Sequence, residues 1–531
     1  MSSLPRRPTL SEAREKLREL GYLQGRVERF VFRRALEGTA ALLLPLVLAG
    51  ALAMASAETA AVCASQFRYS QSPPAAILLF AQLFLAALVP AAGFAVLLFA
   101  GAGRSRRPGA DSAVAGIVAA TVVLAIWVIG TWRLGAERVA TAVAWGVPVS
   151  LAALLFGAVA RATVLARAFA SSGRLPQTPR RALVLFAVAG ALSAAILLFA
   201  SRREPVRAEP LLPAPRATPV VVVGIDGAAL DETRPEDGAL RLLLAAGRTG
   251  SWPARSASPA EVWTDLATGV PAARHGVRAL EWVRPAGLPP LRPPLGSSWY
   301  LRGVGLAAGL VSRAPVSAWE RRSPAFWEVA ASAGVPALAV GWWASGSWPG
   351  ATVVENREIL ARAADGRTVD TVAIAEFQRL SPGKTVAAVY LPGPDILRSE
   401  ASRAAVVAEL TRFLDPWIDR ARRREVVLAV IAAESHPRPG SRGRLTVFDG
   451  TGAPAAAAMR AEDVAPSLLA RAGVPAARDL PGRPVPSLFR PGSLETATVA
   501  SWGERVAPAG PAPRASDREY LEKLKSLGYL N

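Results

Sequence analysis

The stretch Val220-Val221-Val222-Val223-Gly224-Ile225-Asp226-Gly227 decides the fold of the globular part of this chain. A continuous run of valines predicts a strand that is buried on both faces, as in a parallel sheet. The preceding residue, Pro219, suits the first position of such a strand, where no ladder donor is needed. Asp226 then ends the strand beside a glycine, where open α/β sheets bind their ligands. The stretch therefore predicts a ligand or metal site at Asp226.

A second stretch offers the hydroxyl group that a hydrolytic site would need. It reads Ser258-Pro259-Ala260-Glu261-Val262-Trp263-Thr264, and it is followed by Ala267-Thr268-Gly269 and Arg274-His275-Gly276. A carboxylate that holds a metal ion, together with a hydroxyl that the ion activates, makes hydrolysis possible. The alternative of a dinucleotide-binding turn fits poorly, because residues 224–229 lack the Gly-x-Gly-x-x-Gly spacing.

In their order, these motifs resemble the alkaline phosphatase-like superfamily, and within it the type I phosphodiesterase/nucleotide pyrophosphatase branch. Phe326-Trp327-Glu328, Gly341-Trp342-Trp343 and the run from Asp463 to Leu469 match later motifs of that branch. The resemblance covers residues 218–489 and implies an α/β alkaline phosphatase-like domain with a mostly parallel central sheet. Within this domain, residues 445–448 are expected to form an edge strand, and residues 281–323 an irregular insertion.

The resemblance also implies a site that holds divalent metal. In it Thr264 is the nucleophile and a metal ligand, and the other candidate ligands are Asp226, His436, Asp395 and, through a shifted loop, Glu434. The family's second histidine position holds Ser399, and Ser435 stands where an aspartate is expected. Zinc prefers four ligands, so the set around Asp395 is a poor cage, and one ion, zinc or manganese, is expected rather than two.

Two functions from different classes stay open. The first is a phosphodiesterase or phosphotransferase that acts on phosphate esters through a metal-activated Thr264. The second is a catalytically inactive envelope protein of the same fold, with a binding or scaffolding role. The chain has only two histidines, His275 and His436, and they limit any metal site. His275 is expected to be structural or near the site rather than a ligand, which leaves His436 as the candidate ligand.

The first two hundred residues predict a membrane region. Five apolar segments interrupt the polar sequence, each about 19 residues or longer, enough to cross the hydrocarbon core; they are residues 39–57, 75–101, 113–132, 139–160 and 182–200. Arginines concentrate before the first segment and in the second and fourth loops, which predicts a cytoplasmic N-terminus and an extracytoplasmic C-terminal domain. The predicted parts are a basic N-terminal segment (1–34), the membrane region (35–200), a Pro/Arg-rich linker (201–217), the domain (218–489) and a tail with a short helix (490–531).

The charge of the chain is explained by this membrane topology. Its 61 basic and 41 acidic residues give a net charge of +20, and all but four of the basic residues are arginine. Because much of this charge flanks apolar segments, the lipid bilayer is an expected partner and nucleic acid is not. The family resemblance adds a phosphate-ester or envelope substrate to the expected partners. The abundance of arginine and alanine is typical of a GC-rich bacterial genome, so the expected location is a bacterial inner membrane. A single cysteine, Cys63, excludes an internal disulfide.

A short segment occurs twice in the chain. Glu15-Lys16-Leu17-Arg18-Glu19-Leu20-Gly21-Tyr22-Leu23 matches Glu522-Lys523-Leu524-Lys525-Ser526-Leu527-Gly528-Tyr529-Leu530. Both copies predict a short amphipathic helix that ends at a glycine.

Overall fold

A computed structural model describes most of the domain and the helices before it. The described residues are 24–66, 69, 72–102, 108–131, 139–170, 206–209, 211, 218–227, 243, 245–292, 299–397, 400–435, 437, 440–450, 455–505 and 516–530. The fifth predicted apolar segment and the first copy of the repeat lie outside these residues.

Eight strands of the domain form one mixed sheet. Its strands are β1 (Val220–Asp226), β2 (Arg248–Pro253), β5 (Ala337–Val340), β6 (Ala351–Val354), β7 (Val386–Leu391), β8 (Val427–Ala433), β9 (Arg442–Phe448) and β10 (Ala456–Ala458). They follow the order β10-β2-β9-β8-β1-β7-β5-β6, and only β9 runs antiparallel to its neighbours. The smaller pairs are β3 (Glu281–Pro285) with β4 (Val311–Pro315), and β11 (Ala476–Ala477) with β12 (Thr498–Val499). The expected α/β domain with a mostly parallel sheet is confirmed.

The valine run forms the centre of this sheet. β1 pairs in parallel with β7 on one side and β8 on the other, and all seven of its residues are buried. Only glycine fits at position 224, because a Cβ there would lie 2.6 Å from the Trp263 ring. Asp226 therefore ends a strand that is fixed on both edges and on both faces.

Helices cover the sheet and fill the connections. In chain order after the membrane region they are α5 (Pro259–Thr268), α6 (Ala272–His275), α7 (Gly305–Ala307), α8 (Phe326–Ser332), α9 (Asn356–Arg362), α10 (Val369–Leu380), α11 (Gly393–Ile396), α12 (Glu400–Arg422), α13 (Val464–Arg471) and α14 (Ser516–Ser526). The aromatic motifs become the core between helix and sheet: Trp263, Trp327 and Trp342 are fully buried and pack edge to face or tilted against one another.

The prediction that residues 445–448 form an edge strand is wrong. β9 lies between β2 and β8, so it is an interior strand. The sequence hides this because β2, Arg-Thr-Gly-Ser-Trp-Pro, has neither a valine run nor an apolar alternation. Its place in the sheet comes from pairing with β9, which no local pattern reports.

The structure supports three of the five predicted membrane spans, and the fifth lies outside the described residues. Four helices precede the domain in the part of the chain that the structure describes. They are α1 (Gln24–Ser65), α2 (Pro73–Ala102), α3 (Pro108–Thr131) and α4 (Val139–Ala170). In the described residues, three stretches are long and apolar enough to cross a membrane: Leu43–Cys63, Pro73–Leu98 and Ala110–Val128. The apolar part of α4 in these residues, Val149–Leu165, is shorter and contains Arg161.

Large apolar side chains face outward on these helices. Val89 and Leu97 on α2 are 72% and 73% exposed, and Ile117 on α3 and Leu154 on α4 are each 66% exposed. In contrast, α1 is mostly buried between its neighbours, and 78% of its most apolar stretch, within Leu43–Cys63, lies inside the bundle. A bundle that turns leucine, isoleucine and valine outward suits a hydrocarbon environment.

The insertion predicted at residues 281–323 is partly regular, and it contacts the bundle. The β3–β4 hairpin begins and ends it, and Leu288 and Leu291 belong to the same apolar cluster as the helices. Gln66 and Arg292 exchange two hydrogen bonds, from Gln66 Nε2 to the carbonyl (2.7 Å) and from Arg292 N to Gln66 Oε1 (3.0 Å). Gln82 Nε2 also donates to Ala286 O at 2.8 Å. The insertion thus joins the domain to the helical region.

Candidate functional site

Asp226 lies at the centre of a buried polar cluster at the carboxyl edge of the sheet. It is fully buried, and three side chains donate hydrogen bonds to its carboxylate. Trp263 Nε1 and the Tyr390 hydroxyl each lie 2.8 Å from Oδ2. The Ser435 hydroxyl lies 3.1 Å from Oδ2 and 3.3 Å from Oδ1. One oxygen of the carboxylate is therefore surrounded by donors.

The direction of two of these hydrogen bonds is fixed by chemistry. An indole nitrogen can only donate, so the Trp263 proton points at Oδ2 of Asp226. Trp343 Nε1 donates to the Tyr390 hydroxyl at 2.9 Å, which leaves the phenol proton of Tyr390 free to point at Asp226. Oδ2 is thus directed at protons rather than at open space.

Burial changes the acidity of Asp226. The pKa of this carboxyl is raised from 3.8 to about 7, first by desolvation and then by the negative charge of Asp395. The hydrogen bonds from Tyr390, Trp263 and Ser435 lower the pKa, but they do not outweigh the burial. The fold therefore favours the protonated form of Asp226 relative to a solvent-exposed aspartate.

Thr264 lies in the middle of α5, away from a helix end. The helix begins at Pro259 and ends at Thr268, with Gly269 as its C-cap, so Thr264 has a full turn before it and another after it. Its side chain is fully buried, and among the described residues its Oγ1 has no hydrogen-bond partner. The structure thus holds the expected nucleophile inside the core, next to Trp263.

Ser258 is a hydroxyl that the sequence reasoning missed. It is the N-cap of α5, where its Oγ accepts from Glu261 N (3.3 Å) and donates to Arg278 O (3.1 Å). The preceding residue, Ala257, donates its N–H to Ser435 O (3.4 Å), so this end of α5 meets the end of β8. Ser258 is partly exposed, and the helix N-terminus favours negative charge there. The signal was present in the sequence, as a serine directly before a proline.

The other expected ligands follow neighbouring strands. Asp395 lies in α11, after β7, is partly buried, and its charge acts on Asp226. Glu434 follows β8 and accepts a hydrogen bond from the Ser441 hydroxyl at 3.0 Å. His436 and Ser399 lie outside the described residues. The structure therefore brings Asp226, Asp395 and Ser435 to one edge of the sheet, while Glu434 bonds to Ser441.

His275 is structural, as expected. It is fully buried, and its Nε2 lies 2.6 Å from Asp265 Oδ1. Val277 N donates to Nδ1 at 3.0 Å, so Nδ1 is the acceptor and the ring proton sits on Nε2. Arg255 also contacts the carboxylate of Asp265. Both ring nitrogens are used, so His275 ties α6 to the residue after Thr264.

The second copy of the repeat ends beside this site. α14 is anchored by Asp517, which forms ion pairs with Arg284 (3.2 Å) and Arg357 (2.9 Å), and by the fully buried Leu524. The chain then turns, and the ring of Tyr529 packs edge to face on Trp343 at 5.6 Å. Burial raises the pKa of Tyr529, and the negative charges of Asp226, Asp395 and Asp370 add to this effect. No local feature of the sequence reports that the tail reaches this site.

The donors around Oδ2 of Asp226 fit a metal ion at that oxygen poorly. A carboxylate oxygen that accepts an indole N–H and a phenol O–H cannot direct the same lone pairs at a cation. In the part of the chain that the structure describes, which does not include His436, no group of three or more His, Cys, Asp or Glu side chains is placed to hold a metal ion. The residues present therefore direct protons at Oδ2 of Asp226, while only Ser435, at 3.3 Å, approaches Oδ1.

Comparisons with known proteins give only weak likenesses. No protein-family model and no curated protein matches the chain. A solved structure of murine ectonucleotide pyrophosphatase/phosphodiesterase 5 matches with a TM-score of 0.29 and 16% identity, over 40% of this chain and 56% of that chain. BT1596, a 2-O GAG sulfatase, matches with a TM-score of 0.34 and 10% identity, over 51% of this chain and 73% of that chain. The chain spans just over half the length of the murine protein, and these scores are too low to assign a family.

Proposed function

We propose that this protein is a membrane-anchored component of the bacterial envelope whose alkaline phosphatase-like domain binds or scaffolds a partner without metal-dependent hydrolysis. The observation that carries the proposal is the hydrogen bond from Trp263 Nε1 to Asp226 Oδ2. An indole N–H cannot be a metal ligand, and it occupies Oδ2 of the carboxylate that the family resemblance assigns to the metal. The buried Thr264 hydroxyl, which is expected to be the nucleophile, supports the same conclusion, since substrate cannot reach a side chain with no exposed surface.

Metal content and turnover test this proposal together. We expect the purified full chain, loaded with zinc or manganese and then dialysed, to retain well below one ion per molecule by elemental analysis. We also expect no turnover of an aryl phosphodiester above that of the Thr264→Ala variant. Stoichiometric metal that the Asp226→Asn variant loses would overturn the proposal, whether or not turnover is seen.

A second candidate is a phosphodiesterase or phosphotransferase with one zinc or manganese ion. The position of Ser258 favours it, because a partly exposed hydroxyl at a helix N-terminus beside the end of β8 suits a developing negative charge. In this case Ser258→Ala is expected to lower turnover by several orders of magnitude. If Thr264→Ala lowers turnover far more than Ser258→Ala does, Thr264 is instead the nucleophile.

The proposed topology places the N-terminus in the cytoplasm and the domain outside. The arginines before the first apolar segment and those between residues 161 and 181 support it. We expect an alkaline phosphatase reporter fused after Arg216 to be active, and one fused between Arg161 and Arg181 to be inactive. The reverse pattern would show that the domain faces the cytoplasm, and would remove the envelope part of the proposal.

A further inference from the structure

A second site is present at the opposite edge of the sheet. A cavity of about 400 Å³ is lined by Thr218, just before β1, and by Val426 and Val427 at the start of β8. Asp226 and Ser435 lie at the other ends of the same two strands. Seven residues of extended chain span roughly 20 Å, so this cavity is separate from the cluster around Asp226.

The walls of this cavity carry three arginines, Arg424, Arg471 and Arg490. In the described residues, no carboxylate is in ion-pair contact with any of these guanidinium groups. Two acids also line the cavity, and each has a contact elsewhere. Asp449 forms an ion pair with Arg248 at 3.2 Å, and Glu495 Oε1 accepts from Ala497 N at 2.8 Å. The cavity therefore has an excess of positive charge.

Arg471 is the most constrained of the three. It lies at the end of α13, and its Nε is buried without a hydrogen-bond partner among the described residues. Burial lowers the pKa of Arg471; Asp449 acts against this, and the positive charge of Arg490 lowers it further. A buried donor without a partner is destabilising, and two neighbouring cations repel each other. An anion between Arg471 and Arg490 would relieve both costs.

A smaller cavity in the same domain shows the contrast. It has a volume of about 140 Å³, and Arg274 and Arg322 line it. There Arg274 pairs with Asp479 (3.4 Å) and Arg322 with Glu504 (2.8 Å). Arginines at the smaller cavity thus form ion pairs with acidic side chains of the same domain. Among the described residues, the arginines at the larger cavity form no such ion pair.

The backbone at Arg424 belongs to the end of α12. Its φ is +62°, in the left-handed region that commonly ends a helix. Arg424 N donates to Ala421 O (2.9 Å) and Glu425 N to Arg420 O (3.0 Å), so this turn is stabilised by its own hydrogen bonds. It leaves Arg424 in the lining of the cavity.

We propose that this cavity binds a phosphate-bearing anion through Arg471, Arg490 and Arg424. Guanidinium groups present paired N–H donors that match the oxygens of a phosphate group. The volume exceeds that of phosphate alone and lies in the range of small-ligand pockets, so the ligand carries an organic part as well. The inference does not depend on the proposed function, because it uses none of the residues around Asp226.

Titration of the purified full chain in detergent with inorganic phosphate tests the proposal. We expect saturable binding by calorimetry at constant ionic strength. Arg471→Gln and Arg490→Gln should each weaken it at least about tenfold, the effect of losing one charge-assisted contact. The matched control is Arg423→Gln, because Arg423 lies next to Arg424 in the chain but is exposed and pairs with Glu425 at 2.7 Å. Its affinity for phosphate should change less than about twofold.

Thermal unfolding keeps the test valid if a variant folds poorly. Without phosphate, Arg471→Gln should unfold at a temperature no lower than the wild type, because the substitution removes a repulsive charge. With phosphate, only the wild type, the Arg423→Gln control and, in part, Arg471→Lys should gain stability. Equal phosphate binding by the wild type and by both glutamine variants would overturn the proposal, as would an equal loss in the Arg423→Gln control.

The same measurement in lipid nanodiscs distinguishes two sources of the phosphate group. If the ligand is a lipid headgroup, phosphatidylglycerol in the nanodisc should compete and weaken the binding of inorganic phosphate relative to phosphatidylcholine. If the ligand is a soluble phosphate ester, the two lipids should give the same affinity for inorganic phosphate, and glycerol phosphate should bind at least as tightly.

Discussion

Replacing Glu328 with alanine is expected to lower the free energy of unfolding by about 3–5 kcal/mol. Glu328 is fully buried in α8, and its carboxylate contacts two buried arginines. Arg321 forms two hydrogen bonds to it, at 2.6 and 2.9 Å, and Arg505 Nε donates at 3.1 Å. Burial acts to raise the pKa of Glu328, but the charges of Arg321 and Arg505 outweigh it and hold the pKa below its usual value. Alanine would leave two buried cations without their anion.

Urea denaturation of the full chain in detergent, followed by tryptophan fluorescence, measures this loss. Glu328→Gln should destabilise less than alanine, since the amide oxygen still accepts one of the arginine donors. The control is Glu425→Ala, which breaks the exposed pair with Arg423 and should change stability by less than about 1 kcal/mol. Similar losses at Glu328 and Glu425 would show that the buried network adds nothing to stability.

The sequence predicts the centre of this domain well because the centre has a local signature. The valine run is apolar at every position, and a strand buried on both faces needs that composition. Asp226 was assigned to the carboxyl edge from the end of the run alone. In a parallel sheet the neighbouring strands end at the same edge, which explains why Asp395 and Ser435 follow β7 and β8 beside Asp226.

The partners of Asp226 were not predictable in the same way. Tyr390 and Ser435 donate to Asp226 across 164 and 209 residues of sequence. No periodicity encodes such contacts, which depend on the order of strands in the sheet. Tyr529 is farther still, at the end of a tail whose docking rests on ion pairs from Asp517. The family resemblance supplied the residue types of a metal site, whereas the donors that occupy Asp226 came only from the fold.

The acidity of Asp226 leads to a second large effect, on the pH dependence of stability. The pKa of this carboxyl is about 7 in the folded protein and 3.8 when it is unperturbed. Between about pH 4 and pH 7, the folded protein therefore holds a proton that the unfolded chain has released. The stabilisation is complete below the lower pKa, is lost as the pH rises toward 7, and does not change above it.

Asp226→Asn is expected to remove this pH dependence, because asparagine does not titrate and its carbonyl oxygen can accept from Trp263 and Tyr390. Relative to the wild type, the variant should therefore gain roughly 2–4 kcal/mol of unfolding free energy between pH 4 and pH 8. Urea denaturation at several pH values measures the difference. Asp370 and Glu320, whose pKa values burial also raises to about 7, are present in both proteins and cancel. The control is Asp365→Asn at an exposed turn, where desolvation raises the pKa but the hydrogen bonds from Thr368 and Arg367 together outweigh it and lower the pKa, so any change has the opposite sign. Parallel stability curves for the wild type and Asp226→Asn would show that Asp226 stays ionised, and that the donors around it outweigh its burial.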